Sequence, residues 1–202
     1  PVSVAAVNDA PTLDLDADDS TATGTGASAV FAEGDAPVPI ADSDVAISDA
    51  DDTTAVAATA TLSDAPDGAA EVLAADTGVV DGVVADYNSA TGVLTLTATD
   101  PLPLPDWATL LATLTYDNTS TDPDASVPRS VAVTLDDGTD TSAAATATVT
   151  VTATTFLPVI DLDLGTAEYR EDDAATVITS PALQVTDADS QQLSAVTVTI
   201  VD

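Results

Sequence analysis

Several residue types that carry enzyme and metal chemistry are missing from this chain of 202 residues. It has no Cys, His or Met, and its only basic residues are Arg129 and Arg170, so Lys is absent as well. These absences exclude His-based acid–base catalysis, Cys nucleophiles, zinc sites of the Cys/His type, haem and iron–sulfur ligation. They also exclude Schiff-base chemistry and isopeptide cross-links that use Lys. Without disulfides, the fold depends on its core or on bound metal ions.

Positive charge is almost absent too. Two basic residues stand against 35 acidic ones, which gives a formal net charge of −33. Such a chain cannot neutralise a phosphate backbone or an anionic membrane surface, so we expect no nucleic-acid partner and no membrane insertion. Hydrophobic residues nevertheless make up 45% of the chain, which argues against a disordered acidic tail. With so many acids, pairs of carboxylates are unavoidable and do not indicate a catalytic site, and we expect no enzymatic activity.

Alternation of apolar and polar residues dominates the sequence. Ala147, Val149 and Val151 alternate with Thr148 and Thr150, a pattern typical of half-buried strands. The same period appears at Leu94/Leu96, Val131/Val133/Leu135 and Val196/Val198/Ile200, with Pro-, Asp- and Gly-rich breaks between the strands. The expected fold class is an all-β antiparallel β-sandwich. One segment, residues 104–114, has helical spacing and predicts a short helix before a strand that ends near Tyr116. Several aligned Thr rows would be needed for an ice-binding surface, and one row predicts only an ordinary exposed strand face.

An internal repeat divides the chain. Residues 10–16 recur as 157–163, residues 31–35 as 169–173, and residues 48–51 as 186–189. The pattern predicts the closing strand and linker of a preceding repeat over residues 1–9, a complete sandwich over 10–155, and the N-terminal part of a next repeat over 156–202. We therefore interpret the chain as a window on a tandem array.

The acidic residues are mostly Asp, and several are spaced for cation binding. Ca²⁺ takes six to eight oxygen ligands, and two Asp residues at positions i and i+2 of a turn can direct both carboxylates at one point. The pairs Asp49/Asp51 and Asp187/Asp189 have this spacing, and Asp136/Asp137 precedes a turn at Gly138. The segment 14–19 is a fourth acidic stretch, but Asp14 and Asp16 are expected on the solvent face of a strand.

These motifs, taken in order, resemble the bacterial cadherin-like tandem repeats of large extracellular adhesins of the RTX type. The resemblance rests on Asn8-Asp9 before Pro11, on Glu33, on the segment 49–52, and on the late motifs 116–119 and 129–138. It implies an all-β, immunoglobulin- or cadherin-like antiparallel β-sandwich in a tandem array, with Ca²⁺ at the domain junctions. Carried over by position, the metal ligands would be drawn from Asn8, Asp9, Glu33, Asp49, Asp51, Asp52, Asp136, Asp137, Glu171, Asp187 and Asp189. The second linker, Thr155-Phe156, lacks the Asn-Asp pair, so its junction is expected to bind fewer ions or none.

The function expected from this resemblance is mechanical. The repeat would be a structural extender of a long bacterial surface adhesin or fibre, extracellular at the cell surface and made rigid by Ca²⁺ between neighbouring repeats. Two alternatives remain open at this point. The units could assemble with identical chains into an extracellular filament, through lateral or strand-exchange contacts. Alternatively, the module could bind a glycan or peptide in a Ca²⁺-dependent way.

Overall fold

The computed structural model describes residues 7–161, 170–172, 174–177, 182–187, 189 and 192–199. The chain forms two compact units, Pro1–Ala153 and Thr154–Asp202, which we call unit 1 and unit 2. Each unit is described by itself below.

Unit 1 is built from short strands and one α-helix. Its strands are β1 (Thr12–Asp14), β2 (Ala27–Ala32), β3 (Val38–Pro39), β4 (Ala46–Ser48), β5 (Thr54–Ser63), β6 (Glu71–Ala74), β7 (Val83–Asn88), β8 (Val93–Pro103), β9 (Thr115–Asn118), β10 (Arg129–Asp136) and β11 (Ala145–Thr152). The helix α1 (Leu104–Leu111) lies between β8 and β9, and 3-10 turns occupy Gly68–Ala70 and Thr77–Val79.

The strands form an all-β sandwich, as the alternation predicts. A six-stranded sheet has the order β2-β11-β10-β5-β8-β7, a three-stranded sheet has the order β3-β9-β6, and β1 pairs with β4. The pairing is antiparallel with one exception among the described strands, because β2 runs parallel to β11. This parallel pair departs from the purely antiparallel sandwich that the sequence suggests. It arises because β2 and β11 are far apart in the chain and no hairpin fixes their direction.

The core lies between the large sheet and a layer formed by α1 and the small sheets. Alternate residues of β10 and β11 are buried, among them Val131, Val133 and Val149. Trp107 on α1 is fully buried, and its indole N–H donates to the carbonyl of Ala55 at 3.0 Å. The predicted helix is thus confirmed, and it contributes the largest side chain of a core that is otherwise mostly Ala, Val and Leu.

Unit 2 reproduces the beginning of unit 1. Its strands β12 (Val159–Asp161) and β13 (Gln184–Thr186) pair in antiparallel fashion. In β12–β13, Val159 pairs with Thr186, just as Thr12 pairs with Ser48 in β1–β4. These are the residues that the internal repeat makes equivalent. The repeated sequence therefore forms the same strand pair in the same register.

The prediction of a strand through Val196, Val198 and Ile200 is wrong for the part that the structure describes. Residues 195–199 form no strand, and Val196 and Val198 are 61% and 74% exposed, while Ile200 lies outside the described residues. A half-buried strand needs a second layer over its apolar face. No hydrophobic side chain in the described part of unit 2 is buried, so that layer is missing there.

Candidate functional site

Three separate segments of unit 1 bring oxygen-rich side chains to the place where the chain enters the sandwich. They are the segment before β1, the loop between β4 and β5, and the turn between β10 and β11. We call this group the entry cluster. Its members are Asn8, Asp9, Asp49, Asp51, Asp52, Asp137 and Asp140.

The loop after β4 forms the centre of the entry cluster. The Oδ1 atom of Asp49 accepts hydrogen bonds from the backbone N–H groups of Asp51 and Asp52, both at 3.0 Å. This turn places carboxylate oxygens of the three residues within 4.8 Å of one another. The second oxygen of Asp49, Oδ2, is buried and has no hydrogen-bond partner among the residues that the structure describes. A buried carboxylate oxygen without a donor is costly, and a cation is one means of satisfying it.

The two linker residues, Asn8 and Asp9, are hydrogen-bonded to both acidic loops of the entry cluster. The side-chain amide of Asn8 donates to Asp137 Oδ2 and to Asp140 Oδ2, each at 3.0 Å. The backbone N–H of Asp9 donates to Asp51 Oδ1 at 3.1 Å. Because Asn8 and Asp9 precede β1, these bonds hold the incoming chain against both acidic loops. Asn8, Asp9 and Asp137 were among the ligands expected from the sequence, although Asp137 was expected at a separate site, and Asp140 was not among them.

The pKa values of the cluster follow from these contacts. The pKa of Asp49 is lowered because the N–H groups of Asp52 and Asp51 stabilise its charge. The pKa of Asp137 is lowered by the amide of Asn8 and then by the N–H of Asp140. The pKa of Asp52 is raised, first by burial and then by repulsion from Asp51, Asp137 and Asp49. The ionised form of Asp52 is therefore destabilised in the cluster, and a cation placed among these carboxylates would stabilise it.

Two other expected ligands lie elsewhere in unit 1. The Oδ1 atom of Asp136 accepts from the N–H of Gly138 at 2.7 Å, so this carboxylate stabilises the turn after β10. The N–H of Glu33 donates to the carbonyl of Thr152 at 2.9 Å, at the end of β11. Since β10 and β11 are antiparallel, this end of the sheet is opposite to Asp136. The structure thus places Glu33 at the end of the sheet opposite to the entry cluster.

The expected ligands of unit 2 follow the pattern of unit 1. The N–H of Phe156 donates to Asp189 Oδ2 at 2.8 Å, and the N–H of Asp189 donates to Asp187 Oδ1 at 3.4 Å. In the repeat, Phe156 is equivalent to Asp9, and Asp187 and Asp189 are equivalent to Asp49 and Asp51. The backbone arrangement is therefore shared, although Phe156 supplies no carboxylate. Glu171 is exposed and directly precedes Asp172, whose φ of 71° matches the 79° of the equivalent Gly34.

A second acidic group corrects the interpretation of residues 14–19. Asp16 is fully buried rather than on a solvent face. Its Oδ2 accepts from the N–H and hydroxyl of Thr21 and from the N–H of Ala22, while its Oδ1 accepts from the N–H and hydroxyl of Ser20. These bonds, led by the Thr21 hydroxyl, hold the pKa of Asp16 far below its usual range. The strand β1 ends at Asp14, so Asp16 turns inward to organise the loop that follows.

Asp16 also lies close to two carboxylates from another loop. Oxygens of Asp16, Asp42 and Asp44 lie within 4.8 Å of one another. Within the described part of the chain, the buried Oδ1 of Asp44 has no hydrogen-bond partner. The hydroxyl of Ser20 bridges Asp16 and Asp42. Unit 1 therefore contains two acidic groups with the composition to hold a metal ion. Sequence reasoning found the first and missed the second.

A buried ion pair forms a third polar centre, which was not among the expectations from the sequence. The Nε and Nη2 atoms of Arg129 donate to the two oxygens of Glu71 at 3.1 Å each, and Nη2 donates to Asp67 at 2.7 Å. Arg129 and Glu71 are both fully buried. The hydroxyl of Tyr116 donates to Glu71 at 2.9 Å, and this contact, together with burial, raises the pKa of the phenol. The charges are fully paired, which is typical of a structural centre.

Comparison with known proteins adds no identification. No protein-family model matches the chain, and a search of curated proteins found no match. In the described part of the chain, no helix has the length and apolar character needed to cross a membrane.

Proposed function

We propose that the chain is an extender segment of a long extracellular bacterial surface protein, built from cadherin-like sandwiches in tandem and stiffened by Ca²⁺ where one repeat joins the next. The observation that carries this proposal is the entry cluster. It combines two linker residues with carboxylates from two loops of the following sandwich, so an ion bound there would couple the linker to the domain.

The chemistry of the entry cluster suits a hard divalent cation. Its members offer carboxylate and amide oxygens, which are the ligands that Ca²⁺ prefers. Asp49 and Asp51 would hold the ion from the loop after β4, Asp52 and Asp137 would add charge beside it, and Asn8 and Asp9 would extend the site into the linker. Binding would satisfy the buried Oδ2 of Asp49 and reduce the repulsion that raises the pKa of Asp52.

The repeat supports the tandem part of the proposal. Equivalent residues form the same strand pair in unit 1 and unit 2, and in each unit the second Asp of the Asp-x-Asp motif accepts from the equivalent linker N–H. The proposed role is mechanical rather than catalytic, and it rests on charge repulsion and on its relief by bound ions. Without ions, carboxylates crowded beside a linker repel one another, and with ions the linker is held in one arrangement. In such arrays, stiffness is set mainly by contacts between neighbouring repeats.

The test is a set of thermal unfolding curves in Ca²⁺, in Mg²⁺, in NaCl of equal ionic strength and in chelator. At a free Ca²⁺ concentration of about one hundred times Kd, binding to the folded state alone adds about 2.7 kcal/mol. For a chain of this size, that corresponds to a rise in Tm of roughly 5–10 °C.

The double variant Asp49→Asn/Asp51→Asn should lose the rise in Tm that Ca²⁺ causes. The control Asp81→Asn/Asp100→Asn, which removes the same charge from exposed positions, should keep it. If NaCl raises Tm as much as Ca²⁺, the calcium proposal is wrong.

A further inference from the structure

The outward face of the six-stranded sheet has an unusual composition for so acidic a protein. Along β11 the outward side chains are all Thr, and they are exposed. Strand pairing continues the pattern across the sheet: Thr148 pairs with Ser130 and Ser130 with Ser63, while Thr134 pairs with Thr59 and Thr59 with Thr95. Ala or Val occupies several of the other outward positions, among them Val30, Ala57, Ala132 and Val84. We call these outward side chains of β2, β11, β10, β5, β8 and β7 the hydroxyl face.

Charge is confined to the margins of the hydroxyl face. Its carboxylates are Asp86, on the edge strand β7, and Asp136, at the end of β10. The centre, around Thr61 and Ala132, which pair with each other, has none. The acidic residues of unit 1 are concentrated instead in its loops and turns. At physiological ionic strength, charges are screened beyond about 8 Å, so the marginal carboxylates act only weakly at the centre.

We propose that the hydroxyl face is a lateral docking surface for the same face of a second copy of this chain. A chain with net charge −33 repels its own copies wherever two acidic surfaces meet. At the centre of the hydroxyl face, two copies of unit 1 can approach without burying carboxylates, because Asp86 and Asp136 lie at its margins. Depletion of charge at the centre is also one feature of the core of protein–protein interfaces. A face that meets itself across a twofold axis is self-complementary by symmetry.

The geometry of the sheet agrees with this occupant. Twisted sheets pack face to face in β-sandwiches, with strand directions about 30° apart and a spacing of about 10 Å. The aligned Thr rows also raise the question of ice binding. However, successive strands rotate by about 20–25°, which turns the rows out of a single plane and disfavours a flat crystal as the partner.

The area of the face sets the expected strength of docking. Six strands about 4.8 Å apart and on average about eight residues long cover roughly 630 Å². A standard stable interface buries about 800 Å² on each partner, so one pair of faces should associate weakly. Parallel arrays of several repeats would strengthen the contact through multivalency. Neighbouring fibres could then bundle side by side.

The experiment is sedimentation equilibrium of the chain up to about 1 mM, in chelator so that ions bridging the carboxylates play no part. The wild-type chain should associate reversibly and more strongly at about 0.5 M NaCl than at 0.15 M, because salt screens the repulsion between copies. Thr61→Asp, at the centre of the face, should weaken association at least about tenfold. Thr121→Asp adds the same charge in the exposed loop after β9 and should change it less than about twofold.

Two further variants strengthen the test, and the first of them keeps it decisive if Thr61→Asp alone unfolds the protein. Thr148→Asp introduces the charge on β11, and circular dichroism would establish that each variant is folded. Thr61→Lys mixed with Thr61→Asp should associate more tightly than either variant alone, because opposite charges then meet near the twofold axis. Absence of association at 1 mM, or equal association by Thr61→Asp and Thr121→Asp, would overturn the proposal. Neither result bears on the calcium site, because the measurement contains no Ca²⁺.

Discussion

The side-chain amide of Asn8 donates to Oδ2 of Asp137 at 3.0 Å, which joins the linker before the first strand to a turn 129 residues later. The same amide nitrogen also donates to Asp140. One neutral side chain thus lies between two carboxylates and reduces their mutual repulsion. This relationship gives the entry cluster a structural role even without a cation.

Replacing Asn8 with Asp separates that structural role from ion binding. In chelator, Asn8→Asp replaces a donor by a third carboxylate beside Asp137 and Asp140, and Tm should fall by a few degrees. In saturating Ca²⁺, the new carboxylate becomes an additional ligand, and the difference from wild type should shrink or reverse. Differential scanning calorimetry in both conditions checks this. An equal loss of Tm with and without Ca²⁺ would show that Asn8 acts only as a structural bridge.

Calcium binding should release a proton in mildly acidic solution. Burial and the neighbours Asp51, Asp137 and Asp49 raise the pKa of Asp52, so protons compete for this carboxylate at higher pH than for an ordinary Asp. Apparent Ca²⁺ affinity should therefore fall as pH is lowered towards the ordinary Asp range, near 4. Titration calorimetry in two buffers of different ionisation enthalpy measures the released proton. Asp52→Asn should abolish most of the release, and the exposed control Asp81→Asn should not.

The same raised pKa has a definite effect on stability in the absence of ions. A carboxyl group with a higher pKa in the folded state binds its proton more readily there than in the unfolded chain. The contribution of Asp52 therefore destabilises the fold above its folded pKa, and the penalty disappears as pH falls through that value. In chelator, the gain in stability from Asp52→Asn should be present at neutral pH and vanish in acid. A gain that is independent of pH would contradict this assignment.

Local sequence pattern was sufficient for much of the fold. Alternation located the strands around Leu94, Val131 and Val149, and helical spacing located α1. The Asp49/Asp51 pair was also predictable from the local sequence, because both residues lie in one turn. Contacts between distant segments were not predictable in this way. Asp16 and Asp42 come from different loops, and only the tertiary fold brings them together.

The buried ion pair did leave a signal in the sequence. Arg129 is in phase with Val131 and Val133, and Glu71 is in phase with Leu73, so the alternation puts both charged residues on buried faces. The pattern could therefore have indicated two buried opposite charges. Their mutual contact spans 58 residues, and period alone cannot give such a pairing.

Breaking the Arg129–Glu71 pair should be among the most damaging single changes. Arg129→Met leaves the Glu71 carboxylate buried without its cation, which typically costs about 3–5 kcal/mol. The double variant Arg129→Met/Glu71→Leu removes both charges and should cost less than the sum of the two single changes. Chemical denaturation in chelator measures each free energy of unfolding. Strict additivity would show that the two side chains do not interact energetically.

The buried carboxylate of Asp16 provides a test that is independent of the entry cluster. Asp16→Asn preserves the shape but replaces one accepting oxygen by an NH₂ group, which must then point at donors from Ser20 or from Thr21 and Ala22. Tm at neutral pH should fall on the order of 5 °C.

Because the pKa of Asp16 is lowered in the folded state, its stabilisation is complete above the unfolded value, near 3.9, and is lost as pH falls towards the folded value. The difference between wild type and Asp16→Asn should therefore narrow in strong acid. Asp18→Asn, which changes an exposed neighbour, is the matched control. An equal loss of Tm in Asp18→Asn and Asp16→Asn would contradict the prediction. The loop would then respond to charge in general rather than to the buried hydrogen bonds of Asp16.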